Sequence, residues 1–194
     1  MTVEEYTKID GNFSESAFIS KVDNTFIMLL SAIMTDNIPR VKHKISDELY
    51  DKYSNYLNEL NNKNSRQMYD ELNVKSTHIS DITEDEENYI IKVLLVSRYM
   101  DYIADKTTFK LISGNNTSRI EKDNILTFKK KKDAQTESSA RVCPTCGANI
   151  DANSTGICSY CGSSYNTETY DWVLTEIGWL ILPLINGYFQ RKKA

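Results

Sequence analysis

The chain has 194 residues, 26% of them charged and 40% hydrophobic, with a formal net charge of −4 at pH 7. That length suits one ordinary domain with a small appendage and a core of its own. The composition argues against fibrous or low-complexity classes, and the net charge gives no general attraction to nucleic acid or anionic lipid.

The start, "MTVEEYTKIDGNFSES", is acidic and polar. It lacks the basic, apolar pattern of a secretion signal and the Arg-rich pattern of a transit peptide, so a cytoplasmic location is expected. Thiols stay reduced there, and paired cysteines then suggest metal before disulfide.

The first helix is expected from Ser14 to about Met34. Ser14 can cap it and Glu15 suits the positive end of the helix dipole. Phe18, Val22, Phe26, Leu29, Leu30 and Ile33 recur at helical spacing. "FIMLLSAIM" is apolar nearly all round, which predicts burial; nine residues are too few to span a bilayer. Pro39 fits the first turn of a short helix, "PRVKHKI". A further helix starts at Ser46, with Leu49, Tyr53, Tyr56, Leu57 and Leu60 as its stripe, and "NNKN" closes it. "SRQMYDEL" reads as a last helical piece.

Strand character follows. "VKSTHISDI" and "NYIIKVLLVSRYMDYIAD" are β-branched and aromatic runs separated by the acidic turn "TEDEE". "SGNN" is a second turn signal before "RIEKDNILTFKKKK". "YDWVLTEI" resumes the pattern later. The order, helices and then strands, implies an α+β fold with helices packed on an antiparallel sheet. The second strand is apolar on both faces, Ile91, Val93 and Leu95 on one and Ile90, Leu94 and Val96 on the other. It should be central and covered twice, by the helices and by the C-terminal tail or a partner.

All four cysteines lie in "RVCPTCGANIDANSTGICSYCGSSY", as two C-x-x-C-G turns with eleven residues between them. Such turns present paired sulfurs, and glycine after the second cysteine lets the backbone aim amides at them. Cys143, Cys146, Cys158 and Cys161 are therefore expected to hold Zn2+ in a zinc ribbon, with iron the minor rival. Four thiolates complete the coordination shell, so the metal is structural. Between Arg141 and Tyr165 the only charges are Arg141 and Asp151, too few for a phosphate-binding surface. The lysines at 129–132 alternate between strand faces, which favours a solvated strand end over a phosphate track. The ribbon is read either as a rigid clip on the sheet or as a platform for another macromolecule. An exposed apolar patch around Ile150, Ile157 and Tyr160 would favour the platform.

In the order "IPRVKHKISDELYDKY", "VSRYMDYIAD", "SGNN…RIEKDNILTFKK" and "YDWVLTEI", the chain resembles the Tim44-like domain family, in particular bacterial members with a zinc ribbon inserted before the last strand. The likeness covers about Ser14 to Ile177 apart from the ribbon. It implies a cone-like α+β fold of the nuclear-transport-factor-two-like type, with an apolar pocket between helices and curved sheet. It also implies a peripheral membrane or protein-transport role and no catalytic residues. Import-motor function is not implied, because the motor-binding region has no counterpart here.

The domain reading is thus 14–132 with 166–177 as the α+β domain, 141–165 as the inserted ribbon, and 178–194 as a hydrophobic tail with a basic end. The tail, "GWLILPLINGYFQRKK", is shorter than a span and contains Pro183. It is expected either to pack on the open face of the sheet or to anchor at an interface through Arg191, Lys192 and Lys193. A pocket is expected from Phe26, Leu30 and Ile33 against Leu126, Phe128, Trp172 and Leu174. Material for catalysis is thin: His43 and His78 are the only histidines, and no nucleophile elbow or phosphate loop is present. Asp101 with Tyr99 could serve a cavity enzyme of the isomerase or dehydratase kind, but mutual pairing of Arg98, Asp101 and Tyr102 is the preferred reading. The expectation is a non-enzymatic, zinc-containing binding module, cytoplasmic or peripheral at the inner face of the membrane. It would take a protein partner or a lipid surface and no nucleic acid.

Overall fold

The computed structural model describes residues 1–133, 143, 145, 146, 148, 149, 158–163 and 171–179. Among the described residues three α-helices come first: α1 (Val3–Ile9), α2 (Glu15–Met34) and α3 (Asp47–Asn62), with a 3-10 turn (Ile38–Lys44) before α3. Four strands follow, β1 (Ser65–Glu84), β2 (Asn88–Asp105), β3 (Leu111–Lys131) and β4 (Val173–Trp179), in an antiparallel sheet of order β1-β2-β3-β4. This is the α+β fold expected, with the cysteines ahead of the last strand.

The helix starts follow their caps. Ser14 accepts from the Ala17 amide and Ser46 from the Leu49 amide, each relieving an orphan N–H of the first turn. The helix α1 lies outside the elements read from sequence, although Thr2 and Glu5 form a reciprocal capping box there. It buries Tyr6 completely. Tyr6 meets Phe13, Tyr89 and Trp172 edge-on at centroid separations of 4.9, 5.1 and 5.8 Å, a favoured geometry for aromatic pairs.

The core lies between α2 and one sheet face. Phe18, Val22, Phe26, Leu29, Leu30 and Ile33 pack with Ile91, Val93, Leu95, Leu126, Phe128 and Leu174. By length and composition α2 could cross a membrane, more than its nine-residue apolar stretch suggested. Its apolar stripe is instead buried against the sheet. The strand β4 is tied back to the helices as well: Ser46 N donates to Leu174 O at 2.9 Å beside a parallel bridge between Ile45 and Leu174.

Two local readings are corrected. "SRQMYDEL" is not helical but the first part of β1, paired with β2 from Ser65↔Asp105 to Asp70↔Met100. Asn64, at φ 48, turns the chain out of α3, and partners about thirty to forty residues away then supply the hydrogen bonds that a helix would have made locally. "SGNN" does not separate strands. Within β3, Gly114 pairs with Tyr102 and Asn115 with Asp101, but Ile120 pairs with Tyr99, so the residues between bulge outward. The turn chemistry is real, since Asn115 Oδ1 accepts from the Thr117 and Ser118 amides. The reversal between β2 and β3 occurs earlier, through Lys106–Lys110.

The strand β2 is central, as read. Ile91, Val93 and Leu95 are fully buried on the helix side, whereas Ile90, Leu94 and Val96 are half-buried on the other. Gly178 and Trp179, which the sequence assigns to the tail, complete β4 opposite Ile125 and Asn124. The rest of the tail lies outside the described residues.

Candidate metal centre

The four cysteine sulfurs lie within 4.8 Å of one another. Cys143 and Cys161 are 3.7 Å apart at Sγ, as are Cys146 and Cys158. A tetrahedron with metal–sulfur bonds of about 2.3 Å has edges of about 3.8 Å, so these separations fit a tetrahedral thiolate site. They are far beyond the ~2.05 Å of a disulfide. Cys143 and Cys158 are buried, and Cys146 and Cys161 exposed.

Each cysteine pair sits on a tight backbone turn. Cys143 N donates to Ala148 O at 2.7 Å, and Cys158 N to Ser163 O at 2.9 Å. Gly162 returns its amide to Cys158 O at 2.9 Å with φ +72, a conformation in which a side chain would be strained. Polar hydrogens converge on the sulfurs. The Ser163 hydroxyl, with the Cys146 and Thr145 amides, pulls Cys143 down to about 6. The Ser163 hydroxyl and amide lower Cys161 too. Cys146 is drawn down by the Ala148 amide, yet its contacts with the other three sulfurs outweigh this and raise it to about 12. A cation bound by the four sulfurs would displace the protons they carry. Ser163 was not singled out in the sequence; its place two residues after Cys161 was the available signal.

Tyr160, between the second pair of cysteines, is 75% exposed. Ile150 and Ile157, the other members of the patch read from sequence, lie outside the described residues. Cys143 and Cys158 form a cluster separate from the main core.

The seven residues read as a pocket, Phe26, Leu30, Ile33, Leu126, Phe128, Trp172 and Leu174, all belong to the main core and none is more than 6% exposed. Two clefts open beside them. One, of about 230 Å³, includes Ile33, Met34, Leu57, Arg66 and Gln67. The other, of about 270 Å³, includes Phe13, Phe18, Lys21, Lys130 and Trp172.

Tyr99 is buried, and a register shift separates it from Asp101. Asp101 accepts from Gln67 Nε2 at 2.8 Å and Lys122 Nζ at 2.5 Å, while Tyr102 donates to Asp70 at 2.6 Å. Asp101 and Tyr102 thus take partners from β1 and β3 instead of pairing with each other. Sequence reading missed these partners, which only strand register brings together. His43 is partly buried in the 3-10 turn and His78 exposed on β1.

A helix-backed antiparallel sheet carrying a four-thiol module ahead of its last strand defines a small α+β domain with a candidate metal centre. The model of the Tim44-like domain family matches residues 1–141, and the chain belongs to that family. The match includes α1 and ends just before the first cysteine. A comparison with curated proteins found no match.

Proposed function

We propose that this chain is a non-catalytic adaptor with a zinc-held ribbon, working peripherally at a membrane surface in a protein-transport setting. The observation that carries the reading is the family match over residues 1–141, since Tim44-like domains are binding modules associated with membranes and partner proteins. The ribbon adds the metal. Cys143, Cys146, Cys158 and Cys161 fit zinc by number, softness and spacing. Zinc there would be four-coordinate and structural, with no position left for water or substrate.

The division into 14–132 with 166–177, an inserted 141–165 and a tail belongs to this proposal, with α1 docked on the first unit and the tail starting after β4. So does an apolar ligand received by the seven core side chains; the clefts at Ile33 and Trp172 support it as routes of access. A cytoplasmic, inner-face location is the setting in which reduced thiols and membrane contact are compatible.

Two measurements test the reading. Elemental analysis of freshly purified, reduced protein should give one zinc per chain, and markedly less refutes the metal. Flotation with phosphatidylcholine vesicles, with and without phosphatidylserine, should carry the chain to the lipid layer. A chain that stays at the bottom with both compositions refutes the membrane role. Repeating it without residues 180–194, which leaves β4 whole, shows whether the tail contributes. A second reading, protein docking by the ribbon, is favoured by the exposed Tyr160; loss of a defined partner in Tyr160→Ser would support it.

A further inference from the structure

The tip joining β2 to β3 carries Phe109, Leu111 and Ile112, which are 62%, 45% and 54% exposed. Nowhere else among the described residues do three large apolar side chains so exposed fall within four positions. Phe109 is also held at φ 56. That left-handed conformation suits glycine or asparagine and strains a bulky residue. A tip selected for stability alone would not place an exposed aromatic ring there.

The turn beneath is rigid. Asp105 Oδ1 accepts from the Thr107 and Thr108 amides and the Thr108 hydroxyl. Asn64 donates to Asp105 and Thr107, and its carbonyl accepts the Lys106 amide at 2.8 Å. The apolar side chains are thus presented on a preorganised support, which lowers the ordering cost of binding.

The charges around the tip are mainly basic. The Arg66 guanidinium lies 5.5 Å from the centre of the Phe109 ring and is held by the Met34 carbonyl at 3.0 Å, and Lys110 is exposed within the apolar run. Lys63 is exposed at the end of α3, next to Asn64. Lys106 is matched by Asp36 at 2.8 Å, and Asp105 is taken up by the turn. The acidic turn at 84–87 sits at the opposite end of β2. A convex hairpin end with three apolar side chains is too small for a stable protein interface, which needs about 800 Å² from each partner. It suits a wedge pushed between lipids, where a few apolar side chains and neighbouring cations suffice.

We propose that the β2–β3 tip is the membrane-insertion element of this chain: Phe109, Leu111 and Ile112 enter the acyl boundary while Lys63 and Lys110 meet anionic headgroups. This rests on the peripheral-membrane reading above and assigns it to one place in the fold.

The test uses the full chain in vesicle flotation, comparing phosphatidylcholine alone with phosphatidylcholine plus phosphatidylserine. The variant Phe109→Gly/Leu111→Ser/Ile112→Ser changes only exposed side chains and relieves the backbone at residue 109, so it should fold; circular dichroism verifies this. It should bind roughly tenfold or more weakly than wild type. Lys110→Glu should bind several-fold more weakly and lose part of the preference for phosphatidylserine. In Phe109→Trp, tryptophan emission should shift to the blue when anionic vesicles are added. If wild type floats and the triple variant floats equally, the insertion element is overturned while the membrane role stands. If wild type ignores both compositions, the membrane role fails and the insertion element with it. A tip that binds a defined protein while vesicles are ignored overturns the lipid assignment in favour of a protein partner.

Discussion

Lys130 Nζ lies 2.7 Å from Asp10 Oδ2, and the two side chains are only 16% and 13% exposed. The pair joins the residue that ends α1 to the third strand, 120 positions away. Lys132, one residue past the end of that strand, pairs with Glu84 at 2.8 Å, but with side chains 33% and 48% exposed. Geometry alone would rank the two alike; solvent separates them. Breaking a largely buried pair strands a charge, whereas an exposed one is screened by water. Lys130→Ala should therefore cost on the order of 2 kcal/mol, and Lys132→Ala far less. Urea midpoints of both variants check this, and equal losses would contradict it. Adding Asp10→Asn to Lys130→Ala should recover part of the loss.

Gly114 has φ +87, and a Cβ added there would lie 2.7 Å from the Tyr102 Cα on the neighbouring strand. Backbone cannot yield as a flexible side chain does. Gly114→Ala should cost about 3 kcal/mol or more through strain and overlap together. Gly11, in the loop after α1, has nothing within 4 Å of its Cβ position, so Gly11→Ala should be close to neutral. Thermal midpoints of the two variants decide the matter; a well-tolerated Gly114→Ala would show that the β2–β3 register can shift.

Where the sequence was a good guide, the signal was local. Ser14 and Ser46 announce α2 and α3 because a cap acts within three residues. The run from Asn88 to Asp105 matches β2 end to end, since its β-branched residues have no competing helical pattern. The cysteine pairs carry their spacing on their face. What could not be read depended on distant partners. Residues 65–72 have ordinary helix formers, Gln67, Met68 and Glu71 among them, and become strand only because β2 is there to pair with. Asp101 finds Gln67 and Lys122 through strand register, 34 positions before it and 21 after it. The exposed tip was hidden differently, because Phe109, Leu111 and Ile112 look like the start of a buried strand until the structure shows them exposed.

His43 sets a pH dependence for stability. Burial, reinforced by the charge of Lys44, holds it down to about 4 from an ordinary value of 6.5. Between those values the unfolded chain takes up a proton that the folded chain refuses. Stability is therefore present in full above about pH 6.5 and lost as pH falls toward 4. The loss should be on the order of 2 kcal/mol, below the full linkage value because the ring retains some solvent contact. Denaturation series at pH 7 and pH 5 should show the decline in wild type and a flatter response in His43→Gln. Identical pH responses in the two proteins would remove His43 from the account.

The cysteine module should come apart without taking the sheet with it. Cys143 and Cys158 form a buried cluster of their own, while the main core from Tyr6 to Leu174 contains no cysteine. The strand β4 is held at Ser46 and along β3 by hydrogen bonds that do not involve the metal site. Zinc bound by these four thiols, worth on the order of 10 kcal/mol at a site of this kind, would then stabilise the cysteine turns rather than the sheet. A strong chelator, or Cys158→Ser, should release the zinc and raise thiol reactivity at Cys146 and Cys161. The thermal midpoint followed by near-ultraviolet dichroism of the Tyr6, Phe13, Phe18 and Trp172 cluster should change by no more than the equivalent of about 1 kcal/mol. A midpoint that collapses on metal removal would mean the opposite: that the four thiols staple β4 into the sheet and serve the fold itself.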